Sequence, residues 1–408
     1  MKKVFFKISN ILFCFTVLFF VSACSSSSDV ASIKGNELFT LNYGNFEDEL
    51  NLFNLSRNGA VNTFMTMEDG FFYISNGESK KILELNSYGD ILSLFYNEEA
   101  NIKPSFAENK TASSTKKAVS YPLNTLGPVA VDSHKCLYAS DTLPQERQEV
   151  DVDNRLLLNY VVLRFKSDGT FVDYIGQQGP GGTPFPHIKN IYATKNDELV
   201  VVSETNNGPV VFWFNQKGFL LYKIPLTENV IPKLTEETDE DSTSFVSIQK
   251  VIPDNIEHKL YIQIDYFKTY LDPATKVQSG IDYDKTVLYP LNVQTGLYED
   301  GLEIPFYEDV VSENLGKAVY NLPLEFLGVT DSGWFFFILP IEKGFLIQMV
   351  QPNGQKILKR VLNVNHQEIL YYSLNLSGDG IISGLFVKKD KAHVAWWRTD
   401  NLVNSIVN

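Results

Sequence analysis

Five histidines and three cysteines are all the imidazoles and thiols this 408-residue chain offers, so its chemistry is quickly surveyed. Cys136 lies two residues from His134, and residues two apart on a strand share a face. A thiol beside an imidazole is the simplest nucleophile and base. No third group orients this histidine, however, and Cys136 reads as a small buried hydrophobe within Cys136-Leu137-Tyr138-Ala139. The chain has no nucleophile elbow and no His-Glu-x-x-His run, and its glycine-rich stretch 176–182 lacks the Lys-Ser/Thr of a phosphate loop. Stretch 227–244 carries Glu236-Glu237 and Asp239-Glu240-Asp241 without calcium-loop spacing, so it reads as a solvated charge run. An aromatic group remains: Tyr266, Phe267, Tyr270 and Tyr283. Such rings either form a contact patch for a partner or pack back onto the fold.

The start of the chain carries an address. Lys2, Lys3 and Lys7 lead into an almost wholly apolar stretch, 8–21, that ends in Val21-Ser22-Ala23-Cys24. This is the pattern of a secretory signal, too short for a stable membrane span. The Val-Ser-Ala-Cys ending resembles the lipobox of bacterial lipoproteins. That resemblance implies cleavage after residue 23, acyl chains on Cys24 and, from Ser25, sorting to the outer membrane. Each buried methylene adds about 0.8 kcal/mol to such an anchor. Residues 24–35 are expected to be a flexible tether and 36–408 a single domain. Losing 1–23 removes three lysines and no acids, which takes the net charge from −14 to −17. A surface of that sign repels nucleic acid and anionic headgroups, so membrane contact is expected through the acyl anchor alone. With Cys14 removed and Cys24 acylated, Cys136 has no disulfide partner within the mature chain.

Short β-branched and aromatic runs broken by tight turns recur along the rest of the chain. In residues 160–205, strands at 161–166, 170–175, 188–194 and 199–203 alternate with turns at Asp168-Gly169 and Asn196-Asp197 and a glycine-rich crossing. Six copies of this unit can be laid out. In four of them the paired turns lie 19 to 21 residues apart: 70 to 89, 198 to 218, 333 to 354 and 380 to 400. The sixth copy lacks a fourth strand, and Leu38-Phe39-Thr40-Leu41-Asn42-Tyr43 is a strand with no copy of its own. A ring closed by that N-terminal strand answers both facts, and closure removes sheet edges. The expected fold is an all-β, six-bladed β-propeller.

Residues 160–205 resemble the NHL repeat family in Arg164-Phe165, Asp168-Gly169, Ile175-Gly176, Gly179-Pro180-Gly181-Gly182, Phe185-Pro186 and the Asn196-Asp197 turn. In a propeller the a–b and c–d turns occupy one face, and the b–c loops and d–a crossings the other. The short turns all fall on the first face. The long excess, 97–122, 141–159, 227–244, 267–285 and 301–323, falls on the second. Loops of such length in a compact domain are often functional, so this face is the expected binding surface for a protein or envelope ligand. No cofactor is required by that reading. The alternative is a metal-dependent lactonase- or lyase-like propeller enzyme, whose divalent ion would sit in the central channel on residues that open inner strands. The candidates for it here are His187, His366 and Glu368.

Overall fold

The computed structural model describes residues 30–54, 59–60, 62–107, 116–233, 244–272, 274–275, 277–313 and 316–407. Six small antiparallel sheets form a six-bladed β-propeller. Their innermost strands, here called a, are Thr63–Glu68, Leu126–Val131, Ile188–Ala193, Ser244–Pro253, Glu325–Val329 and Tyr371–Leu376. In blade 6, strands Ile381–Val387 and Ala392–Arg398 follow strand a, and Asn36–Leu41 supplies the outermost strand by pairing with Ala392–Arg398. The N-terminal strand therefore closes the ring, as its lone occurrence ahead of the first copy predicts. Asp400 opens a short helix, Asp400–Val407, in place of the expected turn.

The second strands of blades 1 to 3, Phe71–Asn76, Leu137–Thr142 and Leu199–Thr205, are largely buried on both sides. The reason lies in the packing, because successive side chains point into opposite seams. Phe72 and Ile74 enter the seam with blade 6, while Tyr73 enters the seam with blade 2. Six buried clusters result, one in each seam. The closing seam joins Phe39 and Leu41 to Met65, Phe72 and Leu83 of blade 1 and to Leu385 and Val394 of blade 6. Phe39 meets Phe72 edge-on, with ring centroids 5.5 Å apart.

The short turns share a device. A small polar residue opens the turn, and its side chain accepts backbone N–H groups: Asp132 from His134 and Cys136, Thr194 from Asn196 and Glu198, Asp254 from Ile256 and Glu257. Asn86, Asn215 and Asn292 do the same in the outer turns. Donors that would otherwise lie unpaired are satisfied locally, so these turns need no extra chain.

On the opposite face the long insertions are built from strands. Residues 267–285 prolong two blade-4 strands, Lys259–Leu271 and Gln278–Asn292, into a ribbon that pairs Phe267 with Tyr283 and Tyr270 with Gly280. Residues 141–159 contain the hairpin Glu149–Asp151 with Leu156–Leu158, and 301–323 contain Tyr307–Glu313 with Gly316–Leu322. Part of the crossing 97–122 becomes Lys117–Ser120, a parallel fifth strand on blade 1. Ser32–Ile33, within the expected tether, is a parallel fifth strand on blade 5, so the chain joins the ring at its outer rim. These extra strands pair edges that would otherwise be open.

Truncation of Phe39 tests the closure. Phe39→Ala is expected to destabilise the protein by about 3–5 kcal/mol, as a buried aromatic should, whereas Thr40→Ala on the exposed side of the same strand should stay within about 0.5 kcal/mol. Chemical denaturation of the two variants measures the difference.

Candidate functional site

The six inner strands enclose a central channel of about 960 Å³. Its two mouths differ. At the short-turn mouth the turns are laced from blade to blade: Ser133 N–H donates to Asp197, Lys195 N–H to the Asn255 carbonyl, Asn255 Nδ2 to Asp331, and Asp331 N–H to the Gly378 carbonyl. Lys135 Nζ reaches Asp69 at 2.6 Å, and Lys195 Nζ reaches Asp331 at 2.5 Å. Between blades 6 and 1 the electrostatics change, because Glu68 there feels the like charges of Asp69, Asp379 and Asp331. Burial first, and then Asp69, pushes the Glu68 carboxyl up to about 6, with Lys135 opposing. At the other mouth charges are matched, Lys250 with Glu325 at 2.9 Å and Lys189 with Glu204 at 3.6 Å. Asn190, Tyr192 and Asn375 line the wall, and Asn190 Nδ2 donates to the Tyr192 hydroxyl at 2.8 Å.

The three proposed channel ligands stand elsewhere. His187 is exposed just before its inner strand and meets Tyr160 edge-on. His366 packs against Phe345 and Tyr372, and Glu368 pairs with Lys388 at 3.2 Å. None of the three lines the channel, and among the described residues its wall contains no histidine. The reason is geometric: His187 and His366 precede their inner strands, in connections that lie outside the bore. Glu68 was missed because nothing in Met67-Glu68-Asp69-Gly70 marks it apart from other turn acids. Only the ring brings Asp331 and Asp379 towards it.

The aromatic group divides. Tyr266 is core, 1% exposed, with its hydroxyl donating to the Pro232 carbonyl at 2.6 Å, so it is no contact residue. Phe267 and Tyr283 are half-buried, facing one another across the ribbon at 6.1 Å, and Tyr283 also meets Phe306. The Tyr270 side chain lies outside the described residues, as do Cys24 and the acidic run 236–241. The apolar surface of this face lies farther out. Val150, Val152 and Leu157 are exposed on the blade-2 hairpin, Val277 and Ile281 at the ribbon, and Val319 and Tyr320 on the hairpin ahead of blade 5.

Cys136 is half-buried, and burial together with Asp132 pushes its thiol up to about 11. It stays protonated near neutral pH, in accord with its reading as an inert hydrophobe.

No protein-family model and no curated relative matches the chain. Among solved structures the chain is similar to a gluconolactonase from Xanthomonas campestris, at 8% identity over 91% of this chain and 98% of that one, with a TM-score of 0.39. It is also similar to an ulvan lyase of polysaccharide lyase family PL25, at 11% identity over 89% of this chain and 83% of that one, with TM-scores of 0.38 and 0.39 in two structures. Likeness at this level carries over neither activity nor ligand.

Asp141, at the root of the blade-2 insertion, yields a pH prediction. Burial pushes its carboxyl up to about 7, against backbone N–H donors from Asn124 and Thr142 that act to lower it. The folded chain thus holds a proton that the unfolded chain has released above its ordinary value of 3.8. Stability contributed by this group is complete below that value and is lost as pH rises towards about 7. Asp141→Asn should remove that loss, so denaturation midpoints of variant and parent should diverge across this window in the variant's favour.

Proposed function

We propose that the protein is a lipid-anchored cell-envelope β-propeller that binds a protein partner through its long-insertion face. The supporting observation is the exposed apolar side chains on that face: Val152 is 79% exposed, Val150 64%, Val277 62% and Val319 59%. Val150 and Val319 are carried on paired strands, Val152 on the turn of the blade-2 hairpin and Val277 just ahead of the strand Gln278–Asn292. Side chains held on paired strands lose little further entropy on binding. On the short-turn face, many polar side chains cap the backbone of the turns themselves. The leader and an acylated Cys24 supply the expected anchor, and the acidic surface leaves membrane contact to it.

Glu68 favours a second reading, an enzyme with its site in the channel. A carboxyl pushed up to about 6 is suited to acid–base work near neutral pH. Under that reading any divalent ion would rely on channel carboxylates and amides, since His187, His366 and Glu368 stand outside.

Two measurements test these readings. Cross-linked capture from the protein's own membranes is expected to yield a stoichiometric partner, and Val152→Glu, Val277→Glu and Val319→Glu together should abolish capture without shifting the melting temperature. Undiminished capture by the triple variant rejects this face, and a Glu68→Gln variant that alone loses capture moves the site to the channel. Separately, Cys24→Ser should move the protein from the membrane to the soluble fraction; retention in the membrane would remove the anchor from the proposal.

A further inference from the structure

On the short-turn face, between blades 2 and 3, a pocket of about 190 Å³ opens beside Asp132, His134 and Asp197. One ligand atom from each of these residues lies within 4.8 Å of the others. His134 Nδ1 stands 3.0 Å from Asp197 Oδ2, and the imidazole is 73% exposed while both aspartates are buried. We propose that this cluster is a binding site for a divalent transition-metal ion of the zinc class.

Both carboxylates are already oriented. Asp132 Oδ1 accepts from the backbone N–H groups of His134 and Cys136, and its Oδ2 from the Tyr138 hydroxyl at 3.2 Å. Asp197 Oδ1 accepts from Ser133 N–H at 3.0 Å. The other Asp197 oxygen, Oδ2, faces the imidazole, whose Nδ1 also lies 3.4 Å from Ser133 Oγ. Donors that fix one oxygen of a carboxylate while the other faces an ion are the usual outer support of a metal site. Imidazole nitrogen and carboxylate oxygen are both zinc donors, and three protein ligands leave a position open towards the pocket.

Comparison of the blades separates this cluster from the turn that carries it. Asp254 in blade 4 repeats the Asp132 arrangement, including a tyrosine hydroxyl, Tyr261, on its second oxygen. There the position of His134 is taken by Ile256. Asp197 occupies the left-handed region at φ 56°, where the corresponding turns of blades 5 and 6 place Gly333 and Gly380. The capped turn is thus general to the ring, whereas the histidine and the second aspartate are added at this one junction.

Zinc chloride and tag-free protein suffice for the test, by titration calorimetry and by metal content after dialysis. One zinc ion per chain is expected, with affinity reduced about tenfold or more in His134→Ala and unchanged in His187→Ala, a histidine that is also exposed. Both substitutions are at the surface, and their melting curves without metal should overlay the parent's. Absence of binding by the parent, retention of full affinity by His134→Ala, or equal losses in both variants would overturn the site.

Discussion

Closure of the ring is the constraint on which the rest depends. Each seam buries side chains from two blades, so a blade without a neighbour would expose a continuous apolar wall. The last seam forms only when Asn36–Leu41 returns to pair with Ala392–Arg398, across nearly the whole length of the chain. Phe39 and Leu41 then bury against blades 1 and 6, each contributing roughly 1.5–3 kcal/mol. Tyr371, whose hydroxyl donates to the Thr63 carbonyl, joins the same two blades by a hydrogen bond, and Tyr43, just past the closing strand, donates its hydroxyl to the Lys388 carbonyl of blade 6. Folding of the final blade therefore waits on a long loop closure, an entropic cost that many shared contacts must offset.

A closed ring has two faces with different freedom. Where two strands must turn back within a few residues, the backbone needs left-handed positions and local acceptors, and the sequence answers with Asn, Asp, Thr and Gly. Where the chain crosses between blades, its length is unconstrained by the turn. The insertions there could have been irregular, but loose backbone leaves many donors to water. About half of the described insertion residues instead pair as strands, which carries blade geometry outward and holds apolar side chains away from the core.

The channel and the blade 2–3 junction show how a ring creates electrostatics that no local sequence contains. Asp69, Asp331 and Asp379 belong to three different turns, yet all act on Glu68. Asp132 and Asp197 are 65 positions apart and meet because adjacent blades repeat the same turn side by side.

By itself the sequence determined the blade count, the closing strand and the division into a short-turn and a long-insertion face. Those features rest on local chemistry, namely turn residues, strand-forming runs and the spacing between them. Tertiary structure alone decided which polar residues share a site. It took His187, His366 and Glu368 out of the channel, buried Tyr266 in a seam and turned the 267–285 insertion into a ribbon. The physical reason is that a side chain's neighbours in a propeller come from the next blade, about 60 residues away, and their approach is set by blade packing and strand register.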